Sequence, residues 1–192
     1  MNYVAGIDYS MTSPAVCIHP KDIEWNSRKC KFLFFSSLKK HADVKVIGNV
    51  FYIAKKSIWE AEDRIKRFIE LGSQVENFLN KANVTDAYIE GYAFGISKQK
   101  GNRVVQIGEN GGILRAFLDR IATCVEVPPT RIKKFASGDG RSDKLAMIDK
   151  FIKETGIDLY TTFNKKAASS PIDDLADAYF ICKYAHEELN ND

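Results

Sequence analysis

The sequence predicts an α/β domain, a mixed sheet of five strands flanked by helices, and three observations carry that expectation. Short apolar runs rich in β-branched and aromatic residues come first, at residues 3–8, 15–19 and 31–36. A succession of helix, strand, helix and strand follows between residues 60 and 127, and the rest of the chain has only helical periodicity. A chain of 192 residues is long enough for one sizeable core and short for two, so residues 1–192 are read as a single domain.

Tyr3-Val4-Ala5-Gly6-Ile7-Asp8 and residues 15–19 read as strands joined by Tyr9-Ser10-Met11-Thr12-Ser13-Pro14, a polar connection made of turn residues. Lys31-Phe32-Leu33-Phe34-Phe35-Ser36 completes an antiparallel meander of three. Residues 43–53 alternate as a further strand or hairpin would, with Gly48-Asn49 as its turn. Ile65, Phe68, Ile69, Val75, Phe78 and Leu79 recur at intervals of three and four, which predicts a long amphipathic helix over residues 60–81. A strand over 87–90 follows, then a Lys- and Gly-rich stretch, then a second helix over 103–121. Gly111-Gly112 weakens that helix by about 1 kcal/mol per glycine relative to alanine, so another backbone is expected to approach closely there. Residues 123–127 form the fifth strand. Pro128-Pro129-Thr130 stops it and starts a short basic helix over 131–136 that ends at Gly138. Residues 143–154 form another helix with Leu145, Ile148 and Ile152 on one face. The last helix opens on the capping signature Ser170-Pro171-Ile172-Asp173 and runs to about residue 188.

Composition narrows the class. Hydrophobic residues make up 45% and charged residues 28%, the balance of an ordinary globular protein in water. No apolar stretch approaches the roughly 20 residues of a membrane-spanning helix, and the chain enters its first strand without the basic and apolar regions of a secretion signal, so a cytoplasmic protein with no membrane partner is expected. Cys17, Cys30, Cys124 and Cys182 form no C-x-x-C pair and read as reduced, structural thiols. Cys17 with His19 lacks the second half of a zinc site, and His41 and His186 stand alone. The net charge is only +3, but residues 98–150 hold eleven basic residues against six acidic ones, a formal +5, and leave the remainder slightly acidic. A polyanion fits that basic stretch.

Four acids sit where folding alone would choose something else. Asp8 ends an apolar strand, Glu90 lies in Ala87-Tyr88-Ile89-Glu90, and Asp174 and Asp177 open the apolar helix Asp174-Leu175-Ala176-Asp177-Ala178-Tyr179-Phe180. Removing an ionised carboxylate from water is costly unless a cation or a hydrogen-bond donor compensates it. Asp8 has an alternative use in capping the turn that follows it, and Asp174 benefits from the helix N-terminus. Asp173 is assigned to capping and left out of the set. Asp177 lies a full turn in among apolar residues, and Glu is depleted from strands and almost never buried alone. Asp8 and Glu90 can stand on neighbouring central strands, with Asp174 and Asp177, three apart on one helix face, pointing back at them. Such a set suits magnesium, a hard cation that uses one or two carboxylates plus substrate phosphates. Two ions about 3.5–4 Å apart can activate a water on one side of a phosphodiester and stabilise the leaving oxygen on the other. In that arrangement Asp8 bridges the ions, with Glu90 on one side and Asp174 and Asp177 on the other.

The order of elements resembles the ribonuclease H-like fold, and the motifs resemble those of the RuvC-type Holliday-junction resolvases. Gly6-Ile7-Asp8-Tyr9-Ser10 looks like that family's first-strand motif, Tyr88-Ile89-Glu90 its second, and Asp174-Leu175-Ala176-Asp177-Ala178 its closing helix. Residues 127–135 and 138–144 resemble its basic segment. The resemblance implies a magnesium-dependent homodimer, with manganese as a possible substitute, that binds a four-way DNA junction and nicks two strands symmetrically in DNA recombination and repair. It carries the catalytic acids onto Asp8, Glu90, Asp174 and Asp177 and the phosphate-contacting lysines onto Lys133 and Lys144, with Lys134 an equally near neighbour. Arg131, Lys134 and Arg141 are expected to contact DNA from the basic segment. Tyr92, Phe94, Lys98 and Lys100 interleave aromatics with positive charge, a pattern in which rings stack on exposed bases while lysines hold phosphates, although core packing serves Tyr92 equally well.

The interval from Asp8 to Glu90 is longer than in the bacterial enzymes, with the surplus around residues 41–58, so a nuclease for branched DNA more broadly is the alternative within this class. An actin-like or sugar-kinase ATPase shares Gly-Ile-Asp followed by Ser and Thr but needs a second Gly-rich phosphate loop, and Asn110-Gly111-Gly112 lies in a helical pattern that does not serve. A binding-only module of the same fold would lose affinity for DNA by keeping four unneutralised carboxylates near phosphates.

Overall fold

The structure, a computed structural model, describes residues 1–36, 44–47, 50–56, 63–91 and 101–191. Strands β1 (Tyr3–Asp8), β2 (Ala15–Pro20) and β3 (Lys31–Ser36) form the expected antiparallel meander, with Asp8 opposite Ala15 and Ala15 opposite Phe34. The alternation over residues 43–53 is a hairpin, β4 (Val44–Ile47) and β5 (Val50–Lys56), and β5 pairs parallel to β3. Helix α1 (Arg64–Lys81) leads to β6 (Val84–Glu90), helix α2 (Gly101–Leu118) and β7 (Thr123–Val127). Helices α3 (Pro129–Ser137), α4 (Lys144–Thr155), α5 (Leu159–Phe163) and α6 (Ile172–Asn191) complete the chain. The five strands expected from the sequence lie in the order β3-β2-β1-β6-β7, and the hairpin extends that sheet beyond β3. β6 is parallel to β1 and β7 parallel to β6, so the sheet is mixed.

Both faces of the sheet are covered, which explains why β2 and β3 read as nearly unbroken apolar runs. Val4, Cys17, Phe32 and Phe34 pack under α4, α5 and α6 with Phe151, Phe163, Tyr179 and Phe180. Ala5, Ile7, Val16, Leu33 and Phe35 face the other way, onto Leu71, Val75 and Leu79 of α1 and Leu114 and Leu118 of α2. Local chemistry sets the helix ends. The Asp63 carboxylate accepts from the amides of Ile65 and Lys66 and starts α1, Asp143 caps α4 through the Ala146 amide, and Gly138 and Gly156 close α3 and α4 in the left-handed region. Asp63 thus places the start of α1 at Arg64, and the first residues of the helix expected from residue 60 lie outside the described residues.

The four cysteines are free thiols, three of them buried. His19 is buried and stacked on Trp25 at 4.5 Å, with His186 edge-on at 4.8 Å. The His19 Nδ1–H donates to the Pro20 carbonyl at 2.7 Å, and Nε2 accepts from the Asn26 amide at 3.1 Å, so this ring pins the connection that leaves β2. The backbone approach expected at Gly111-Gly112 is not found at Gly112, where a Cβ would meet nothing within 4 Å. A helical period shows that a face exists but not what covers it, and the close approaches occur elsewhere: a Cβ on Gly72 would lie 2.8 Å from the Phe117 ring, and Gly6 is more crowded still. Among the described residues no helix is long and apolar enough to cross a membrane.

A candidate active site at the carboxyl ends of two central strands

Asp8 and Glu90 are the last residues of β1 and β6, which run parallel with Ile7 opposite Ile89. Their carboxylates therefore emerge side by side from the same edge of the sheet. Helix α6 lies directly on β1 because Gly6 has no side chain. A Cβ there would sit 2.1 Å from the Cys182 nitrogen and 2.5 Å from the Ala178 oxygen, closer than any real contact. That contact brings the first turns of α6, with Asp174 and Asp177 on one face, over the end of β1. Asp8, Glu90, Asp174, Asp177, Lys133 and Lys144 all line one cavity of about 690 Å³, whose walls continue along Ile107, Gly108 and Gly111 of α2.

The connection after β1 holds Asp174. The Ser13 hydroxyl donates to its Oδ2 at 3.1 Å, Ser10 and Ser13 hydroxyls are 3.2 Å apart, and the Ser13 amide donates to the Ser10 hydroxyl at 3.0 Å. The polar connection was recognisable in sequence as a turn, but its contact with a residue 161 positions away was not.

Burial raises the carboxyl groups of all four acids. Burial pushes Asp8 well above the usual carboxylate range, and Asp174, Glu90, Asp177 and Asp173 push it further. Asp177 is raised to about 7 by burial and then by Glu90, Asp173 and Asp174, with Lys144 opposing. Asp174 is raised to about 6 by burial and Asp173, against hydrogen bonds from Ser170 and Ser13 and the charge of Lys144. Burial raises Glu90 too, while Lys133 and Lys144 pull it back. Positive charge is therefore short at this point of the molecule. Hard carboxylate oxygens that repel one another in a cavity open to solvent suit a divalent cation. Among the described residues no three Asp, Glu, His or Cys side chains stand close enough together to hold a metal ion as they are placed.

The structure separates the basic residues. Lys133 on α3 and Lys144 at the start of α4 face the cavity, whereas Lys134, Arg131 and Arg141 are exposed and do not line it. Arg131 instead donates to the Tyr184 hydroxyl at 3.4 Å. Tyr92, Phe94, Lys98 and Lys100 lie outside the described residues. Asp173 departs from its capping assignment. It is 5% exposed, its Oδ2 pairs with the Lys144 ammonium, and its Oδ1 is buried without a hydrogen-bond partner. Sequence reasoning also passed over Arg115 and Glu126, which form an ion pair on the cavity wall; a strand residue and a helix residue eleven apart carry no local signature.

Sheet order, strand directions and the long helix across β1 define the class: the fold is the ribonuclease H-like α/β fold in the form seen in RuvC-type Holliday junction resolvases. No protein-family model and no curated protein sequence matches the chain. Among solved structures it is similar to Thermus thermophilus RuvC in complex with a Holliday junction substrate, at 17% identity and a TM-score of 0.61, over 97% of this chain and 96% of that one. The yeast mitochondrial Holliday junction resolvase aligns at 17% identity with a TM-score of 0.55, over 98% of this chain and 80% of that one. The fowlpox virus resolvase, solved with Holliday junction DNA, aligns at 18% identity with a TM-score of 0.51, over 97% and 98% of the two chains.

Proposed function

We propose that this protein is a metal-dependent endodeoxyribonuclease that resolves four-way DNA junctions by paired, symmetric nicking. The observation that carries the reading is the convergence of Asp8, Glu90, Asp174 and Asp177, from two strands and a helix, into one cavity together with Lys133 and Lys144. Likeness of fold to resolvases, two of them solved with junction DNA, supports the substrate class.

Asp8, Glu90, Asp174 and Asp177 would hold magnesium, with manganese as a substitute. When bound, two such ions supply an activated water and stabilisation of the leaving oxygen. The protein's own part is to place and neutralise. Ser13 fixes the orientation of Asp174 by its hydrogen bond. Lys133 and Lys144, which face the acids, neutralise the phosphodiester as it enters. Arg131, Lys134 and Arg141 stand on the exposed surface of the same basic segment, where they serve duplex arms by phosphate contacts that position DNA without reading its sequence. Paired incision needs two such cavities, and the homodimer is proposed to form through α2, whose Val104 and Val105 are 53% and 59% exposed.

A substrate panel tests the reading. Protein incubated in magnesium with a synthetic four-way junction, a flap and a plain duplex should cut the junction at symmetric positions, and Asp177→Asn should bind the junction and not cut it. A protein that binds but cuts none of the three in magnesium or manganese is no nuclease. Equal cutting of flap and junction would leave a broader branched-DNA nuclease.

A further inference from the structure

Among the described residues Asp173 is the one buried acid near the site without a role in the proposed chemistry. It is absent from the cavity wall, yet Lys144, its partner, is on that wall. The Asp173 side chain is 7% exposed and that of Lys144 is 66% exposed. Lys144 is also the first residue of α4, where the helix dipole disfavours a cation, so helix formation does not explain a lysine there. A long, mostly exposed lysine has many rotamers open to it and would sample many positions. Besides Glu90, two further acids of the cavity, Asp174 and Asp177, feel the Lys144 charge. An ammonium lying on those two acids would occupy the space of a cation.

From these contacts we propose that Asp173 is a positioning residue: it holds Lys144 at the rim of the cavity, out of the carboxylate cluster and aimed at an incoming phosphate. The ammonium has three N–H donors. One stays on Asp173 Oδ2, and the others remain for solvent or for a phosphate oxygen. This inference rests on the reading of the cavity as a metal-dependent phosphodiester-cutting site.

The test compares wild type, Asp173→Asn, Lys144→Ala and the double variant by two measurements. The first is calorimetric titration of the DNA-free proteins with manganese. Asp173→Asn should weaken binding about threefold or more by releasing Lys144 onto the acids, and adding Lys144→Ala should restore it. The second is single-turnover cleavage of saturating four-way junction. Asp173→Asn should slow it by about tenfold but add nothing to the loss caused by Lys144→Ala, while Asp173→Glu recovers part of the rate. Thermal melting of each variant shows that it is folded at the assay temperature. Unchanged manganese affinity in Asp173→Asn, or a loss that simply adds to that of Lys144→Ala, overturns the proposal. Failure of the wild type to cut any branched DNA would overturn the nuclease reading, and the manganese titration would still decide the position of Lys144.

Discussion

Asp177 shows at the scale of one residue how a site can oppose the stability of its own fold. Its carboxyl is raised to about 7, first by burial and then by Glu90, Asp173 and Asp174. In the unfolded chain the same group titrates near 3.9. Between those values the folded protein binds more protons than the unfolded one, so this group's contribution to stability falls as pH rises from about 4 to about 7 and is fully lost above that. His19 acts in the opposite sense. Burial and the neighbouring His186 lower it to about 4, so its contribution falls as pH drops below the unfolded value of about 6.5. Comparing Asp177→Asn with wild type cancels the histidine. In EDTA at pH 8 the variant should be more stable by about 1–3 kcal/mol, a rise of roughly 2–10 °C in Tm for a chain of this size. The advantage should shrink toward pH 4, and magnesium at pH 8 should raise the Tm of the wild type more than that of the variant. Melting curves at pH 4, 6 and 8 with and without magnesium check both signs, and an Asp177→Asn protein less stable than wild type at pH 8 would refute the argument.

At the scale of elements, the contact of α6 with β1 decides whether a site exists at all. Gly6 allows it, since a Cβ would meet backbone atoms of Ala178 and Cys182, which cannot swing aside as a flexible side chain would. Gly6→Ala should therefore cost about 3 kcal/mol or more, at the upper end for overpacking. Because the displaced helix carries Asp174 and Asp177, cleavage below the Tm of the variant should fall by about a hundredfold, the cost of a misplacement near 1 Å. Melting and single-turnover assays on Gly6→Ala check the two effects together, and a variant that melts and cuts like wild type would show that the helix is not held there. The acids themselves were legible in sequence because each broke a local rule: Glu90 sits in a strand and Asp177 in an apolar helix turn. The central strands were legible as short apolar runs, the hairpin by its alternation and the longer helices by their period. What joins distant segments was not. Gly6 reads as a strand glycine and Gly112 as a packing glycine, yet only the first meets another backbone. Asp173 and Lys144 are 29 residues apart, and each has a plausible local use that hides their pairing. α5 is five residues long, too short to show a period.

For the proposed resolvase the question at the scale of the whole molecule is how two incisions are coordinated. One chain presents one set of four acids, so symmetric nicking of a two-fold junction calls for a second copy related by a two-fold axis. Helix α2 buries Asn110, Leu114 and Leu118 against the domain, lines the cavity with Val104 and Gly108, and leaves Val105 and Gly112 exposed. Exposed valines beside glycines with open space in front of them form a surface that another helix can approach closely. Since α2 also walls the cavity, pairing through it would set the two cavities at a fixed spacing. Val105→Glu should then separate the copies without unfolding either, because surface changes of this kind stay within about 0.5 kcal/mol in a monomer. Light scattering at micromolar concentration should give twice the 21.7 kDa chain mass for wild type and the single mass for the variant, with matching circular dichroism. On a supercoiled plasmid that extrudes a cruciform, the wild type should yield linear product, as both strands are cut within one complex. Val105→Glu should accumulate nicked circles. A wild type that scatters as a single chain with and without junction DNA would exclude paired incision by this surface.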